Sequence, residues 1–134
     1  MNIIILSSSN STSGGFRQAA YLANGLQADG HNVHFVCPSG GDATALLKEM
    51  NLRHTALPAA IREANKALRS LMPENQPVIV HAFHNRGVKL AAYLGTYWRL
   101  LGLPVACLAH RGVTSRPGNP LPYLLPGIRA YLVN

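Results

Sequence analysis

Three histidines and one glycine-rich loop carry most of the chemistry this sequence offers. His81, His84 and His110 fall at or just beyond the ends of two predicted strands, on the same edge of the expected sheet. An imidazole so placed can offer a ligand a hydrogen-bonding or proton-accepting nitrogen. The spacing His81-x-x-His84 with a distant His110 has zinc-binding donor atoms, but no carboxylate or thiolate lies beside them to complete the set, so no metal is expected. The second feature is the run Ser7 to Gly15, which ends Thr12-Ser13-Gly14-Gly15 and opens a helix. Small residues let the backbone approach a ligand, and the open N–H groups of a helix start favour phosphate or carboxylate. It is not the G-x-G-x-x-G dinucleotide fingerprint, and no Gly-Lys-Ser/Thr follows to make it a P-loop. A third cluster, His84-Asn85-Arg86-Gly87, opens the longest helix. Asn85 is expected to cap it, which puts the Arg86 cation at the positive helix end, an unfavourable place without an anion nearby.

These groups need a scaffold, and the apolar pattern supplies one. Strands are predicted at Asn2 to Leu6, Asn32 to Cys37, Leu52 to Leu57, Val78 to His81, Pro104 to Ala109 and Ala130 to Val133. Helices are predicted at Phe16 to Asp29, Ala43 to Met50, Ala59 to Met72 and Arg86 to Leu101, with one turn at Leu121 to Leu125. Strand–helix alternation with apolar strands implies an α/β, doubly wound, three-layer Rossmann-like domain with a mostly parallel sheet of about six strands. The expected strand order is 3-2-1-4-5-6, with ligands outside the carboxyl ends of strands one and four. The site would then be built from Ser7 to Gly15, His81 to Gly87 and His110 to Gly118. In the long helix, Leu90, Tyr93 or Leu94, Tyr97 and Leu101 fit a core stripe, as do Ile61, Leu68, Leu71 and Met72 in the helix before it. Trp98, Arg99 and Lys89 have the character of a membrane-facing group, with core packing as the alternative for Trp98.

Composition narrows the class. The 134 residues carry a net charge of +7, with nine arginines and three lysines against five acids. That balance suits an anionic partner: phosphate, acidic glycan, lipid surface or nucleic acid. No apolar run reaches the roughly 20 residues of a membrane span. Cys37 and Cys107 fall late in two different strands, which suggests two buried thiols and a reducing compartment. The chain stops just after the sixth strand, with no helix to cover it, so a longer protein is expected.

Three stretches, in order, resemble the N-terminal domain of a GT-B glycosyltransferase of family 4. Ser13-Gly14-Gly15-Phe16-Arg17, with Leu22 to Leu26 and Gly30-His31-Asn32-Val33, is similar to the family's Gly-Gly loop, helix and "G-H-x-V" strand. Val78 to Arg86 resembles its "V-V-H-A-H" strand end, and Leu103-Pro104-Val105 to His110-Arg111-Gly112 resembles its "G-x-P-V…T-x-H-G" strand. The usual "T-x-H" is Leu108-Ala109-His110 here, followed by Arg111.

The resemblance implies the acceptor-side half of a retaining, two-domain enzyme, with a nucleotide-sugar donor held mainly by a C-terminal domain. The two glutamates eight apart that mark that domain have no counterpart among Glu49, Glu63 and Glu74. It further implies that Ser13, Gly14 and Gly15 approach the donor diphosphate and that His110 sits at the reacting centre. His84, Asn85, Arg86 and Arg111 would touch a glycan or glycolipid acceptor, in cell-envelope synthesis at the cytoplasmic membrane face. No intrinsic cofactor and no nucleic-acid partner are expected. Two rivals stand beside it. Ser7-Ser8-Ser9-Asn10-Ser11-Thr12 is similar to the phosphate loop of flavodoxin-like FMN domains, although Tyr123 is the sole aromatic residue in the later site loops. A non-catalytic module binding anions or membranes would also suit the charge.

Overall fold

A computed structural model describes residues 1–111 and 121–133. The chain runs β1 (Asn2–Ser7), α1 (Gly14–Ala28), β2 (Asn32–Cys37), α2 (Ala43–Glu49), β3 (His54–Ala56) and α3 (Ile61–Ser70). It continues β4 (Val78–Phe83), α4 (Asn85–Leu100), β5 (Val105–Arg111), α5 (Leu121–Leu124) and β6 (Ile128–Val133). The six strands form one parallel sheet in the order β3-β2-β1-β4-β5-β6, as expected. The winding reverses between β1 and β4, so their carboxyl ends stand at the crevice such sheets use for ligands.

β1, β2 and β4 bury residues on both faces, which is why they read as near-continuous apolar runs. One face carries Ile3, Ile5, Val33, Phe35 and Phe83 against α1 and α2, with Phe16, Ala19 and Leu47 filling the layer between. The opposite face carries Ile4, Leu6, Val36, Val80, Ala82 and Ala109 against α3 and α4, with Leu68, Val88 and Trp98 between. Cys37 belongs to the first core and Cys107 to the second. Both are free thiols, pushed by burial up to about 11 and about 12, respectively.

Several expectations need correction. β4 runs two residues past His81 and β5 two past Ala109, so His81 lies inside its strand rather than at its end, and His110 is a strand residue, not a loop residue. Only His84 links β4 to α4, so His84 takes the N-cap position and Asn85 is the first helical residue, capping nothing. Helix α4 is turned relative to the expected stripe. It buries Gly87, Val88, Ala91, Leu94, Gly95 and Trp98, while Tyr93, Tyr97 and Leu101 are 40%, 47% and 51% exposed. Small residues decide this. A Cβ on Gly87 would stand 3.4 Å from the Ser8 nitrogen and 3.5 Å from the Leu6 oxygen, so the helix lies close on that side. Large side chains there would hold it off, and they face outward instead. Trp98 is fully buried and donates its indole N–H to Asn65 Oδ1 at 2.8 Å, so it is core and not membrane-facing. In α3, Ala64 and Leu68 are buried, whereas Ile61 is 52% exposed.

Candidate active site

The register of the sheet assembles the site. Ser7, Phe83 and His110 are paired neighbours across β1, β4 and β5. They share a face with His81, which lies two residues before Phe83 on β4. Phe83, His81 and His110 form a triangle of rings, with centroids 4.7 Å apart for His81 and Phe83, 4.9 Å for Phe83 and His110, and 6.3 Å for His81 and His110. His81 is buried and Phe83 is 2% exposed, so His110 is the most exposed of the three rings. The Nε2 atoms of His81, His84 and His110 are buried without a hydrogen-bond partner among the described residues. Desolvation first, and the neighbouring His110 second, hold His81 down at about 4 and lower His84 as well. His81 and His84 are therefore neutral imidazoles at neutral pH.

The glycine loop meets this cluster directly. A Cβ on Gly15 would stand 2.9 Å from His84 Cε1, so the absent side chain is what admits the imidazole against the start of α1. Gly14 has open space around it. Ser13 is the N-cap of α1, no side chain caps the helix, and no acidic residue lies in its first turn. The positive end of α1 is thus left for an external anion. The loop is itself anchored. Thr12 donates its N–H to Asp42 Oδ1 at 3.0 Å and its hydroxyl to Asp42 Oδ2 at 2.7 Å. Arg17 Nε donates to the Thr12 carbonyl, and Asn10 Nδ2 to the Ser39 carbonyl. The two Thr12 hydrogen bonds hold the Asp42 carboxyl below the usual carboxylate range.

His84 holds an unusual backbone, with φ 67° and ψ 156°. That region is essentially reserved for glycine and costs about 1–3 kcal/mol elsewhere. The strain directs the ring towards Gly15 at the crevice rather than into the helix.

The residues expected to touch an acceptor divide between the two faces of the sheet. Arg86 is exposed in the first turn of α4 and lines a cavity of about 510 Å³ on the α3–α4 side. Arg111 follows His110 on its strand and so points to the opposite face, its guanidinium carbon 5.3 Å from the Tyr123 ring centroid. Ser13, Gly14, Gly15, His84 and His110 are therefore gathered on one side of the β1–β4 crevice, with Arg86 and Arg111 on the other. The expected site segment from Gly112 to Gly118 lies outside the described residues.

Four contributors escaped the sequence reading. Phe83 packs against both His81 and His110, Asp42 clasps the loop from 30 residues away, and Leu57 and Ile61 line the Arg86 cavity. Asp42 had no local signal beyond standing after Gly40-Gly41. Part of the cavity wall, Leu90 and Tyr93, is visible in the α4 spacing after Arg86, but that spacing reads equally as a core stripe.

Comparison with known proteins bears on this geometry. A family model described as Glycosyltransferase Family 4 matches residues 12–133. No curated protein matches the chain. Among solved structures, the crystal structure of Acinetobacter baumannii MurG superposes with a TM-score of 0.65 at 17% identity, over 99% of this chain and 41% of the MurG chain. The chain thus spans less than half the length of that neighbour, which shares its fold.

Proposed function

The chain belongs to glycosyltransferase family 4, and from that premise we propose that it is the acceptor-side half of a retaining GT-B enzyme. It would pass a sugar from a nucleotide-sugar donor to a lipid or polysaccharide precursor of the cell envelope, at the cytoplasmic membrane face. The other half, a donor-binding domain, would close over the β1–β4 crevice. No intrinsic cofactor, metal or nucleic acid enters the proposal.

The observation that carries this reading is the meeting of His84 with Gly15 beside the uncapped start of α1, with His110 next to them. Sugar transfer needs stabilisation of the leaving nucleoside diphosphate and a hydrogen-bonding group near the anomeric carbon. The N–H groups at Ser13, Gly14 and Gly15 serve the first need, since they are fixed in advance and cost no reorganisation. His110 serves the second from the exposed corner of the ring cluster. His84 steadies the loop against the cluster, and Asn85, Arg86 and Arg111 orient the acceptor.

The test uses the enzyme with both halves. His110→Ala is expected to cut kcat by 100-fold or more, the scale of one well-placed polar group, with an unchanged melting temperature. Unchanged turnover would remove His110 from the chemistry.

A further inference from the structure

The cavity beside Arg86 has a chemical character that specifies its occupant further. It opens among the ends of β1, β2 and β3 and the first turns of α3 and α4, with a volume of about 510 Å³. That is ample for a drug-sized ligand. Leu57, Ile61, Leu90 and Tyr93 make its walls apolar, and Arg86 is the sole charged residue among the described ones lining it.

The cavity does not end at Tyr93. Arg86, Leu90, Tyr93, Tyr97 and Leu101 recur at spacings of four, three, four and four, which places them on one side of α4. The stripe covers about 22 Å at the rise of an α-helix. Its outer part is open, since Tyr97 is 47% and Leu101 51% exposed, and Leu100 beside them is 82% exposed. Lys89 flanks it, and α4 contains no acidic residue. A largely exposed apolar strip with one cation at its head and another beside it is unusual on a protein surface.

We infer that this cavity and stripe form the binding site of an amphipathic acceptor: a phosphate monoester or diester of a long hydrocarbon chain, its phosphate at Arg86 and its chain along Leu90, Tyr93 and Tyr97. Charge complementarity selects the anionic headgroup, and the length and apolar character of the stripe select the chain. This rests on the acceptor-side reading above and names the acceptor's chemistry.

The test is binding to the 134-residue chain, with no transfer reaction involved. The probe is farnesyl phosphate below its aggregation limit, followed by calorimetry and by amide shifts in a ¹⁵N-labelled sample. Farnesol and inorganic phosphate are the two control arms. Farnesyl phosphate is expected to bind at least tenfold more tightly than either, shifting Leu57, Ile61 and Arg86 to Tyr97. Arg86→Gln should weaken it about tenfold towards farnesol, and Tyr93→Ser with Tyr97→Ser should weaken it similarly without changing phosphate binding. These side chains are exposed, so melting curves should match the parent. Equal affinity for farnesol and farnesyl phosphate would overturn the assignment of Arg86. Shifts confined to Ser13–Gly15 would move the site to the other side of the crevice. Binding to neutral phosphatidylcholine vesicles through the stripe, indifferent to Arg86→Gln, would make it a membrane-contact surface instead. If farnesyl phosphate binds as described while His110→Ala leaves turnover intact, the acceptor site stands and the catalytic reading falls.

Discussion

His84 is the residue on which structure and chemistry meet most sharply. Its backbone lies at φ 67°, a conformation with a steric cost for any side chain, and its ring lies on Gly15. A protein keeps such strain where the surroundings hold the residue in place for a purpose. His84→Gly removes the steric cost and the ring together. We expect the melting curve to hold or rise, with a net gain of about 1 kcal/mol after glycine's extra unfolded-state entropy. Turnover of the two-domain enzyme should fall. Denaturant titration beside initial-rate measurement checks both, and a loss of stability would mean the ring matters chiefly as packing. Gly15→Ala tests the same contact from the other side. The new methyl group must displace the imidazole, so the His84 ring resonances should move in the NMR spectrum while the fold persists.

At the scale of elements, helix α4 organises one half of the molecule. Its buried side fixes it to the sheet through Gly87 and Trp98, and its exposed side carries the Arg86 stripe. The hydrogen bond from Trp98 to Asn65 is the polar tie between α4 and α3. Asn65→Leu keeps the volume but leaves a buried indole N–H unpaired. The expected cost is about 1–3 kcal/mol, read from urea unfolding. A change within a few tenths would mean that water reaches the indole. The β1–α1 loop depends on a different tie, the Asp42 carboxylate on Thr12. That carboxyl is held below its ordinary range, so the clasp is complete above the usual carboxylate range and opens only in stronger acid.

At the scale of the whole molecule, the histidines set the response to pH. Burial lowers His34, His81 and His84 together, His81 down to about 4. In the unfolded chain these imidazoles take up protons near pH 6.5, and in the fold they resist until lower pH. Between those values the unfolded state binds more protons, so stability falls as pH drops. The melting temperature should be flat above about pH 7 and decline from pH 6.5 towards 4. His81→Leu should flatten part of that decline, and an equally steep profile in that variant would show that other groups carry it.

What the sequence by itself determined is the alternation of strands and helices and the strand order. Those follow from local periodicity, from glycine positions and from the handedness rule for parallel crossovers, none of which needs knowledge of contacts. The side of α4 that faces the core was decided only by tertiary packing. Leu90, Tyr93, Tyr97 and Leu101 satisfy helical spacing as well as Val88, Ala91, Gly95 and Trp98 do, and periodicity cannot choose between two apolar stripes. The choice fell to the smaller residues, because a side chain extending beyond Cβ at Gly87 would meet Leu6 on β1 and Ser8 just after it, and a Cβ at Gly95 would stand 2.6 Å from the Gly127 oxygen. The ring cluster of His81, Phe83 and His110 was likewise fixed by strand register between segments about 27 residues apart, Phe83 and His110 being directly paired. Sequence names the residues that lie near the crevice. The close approach of backbone to backbone decides which of them meet.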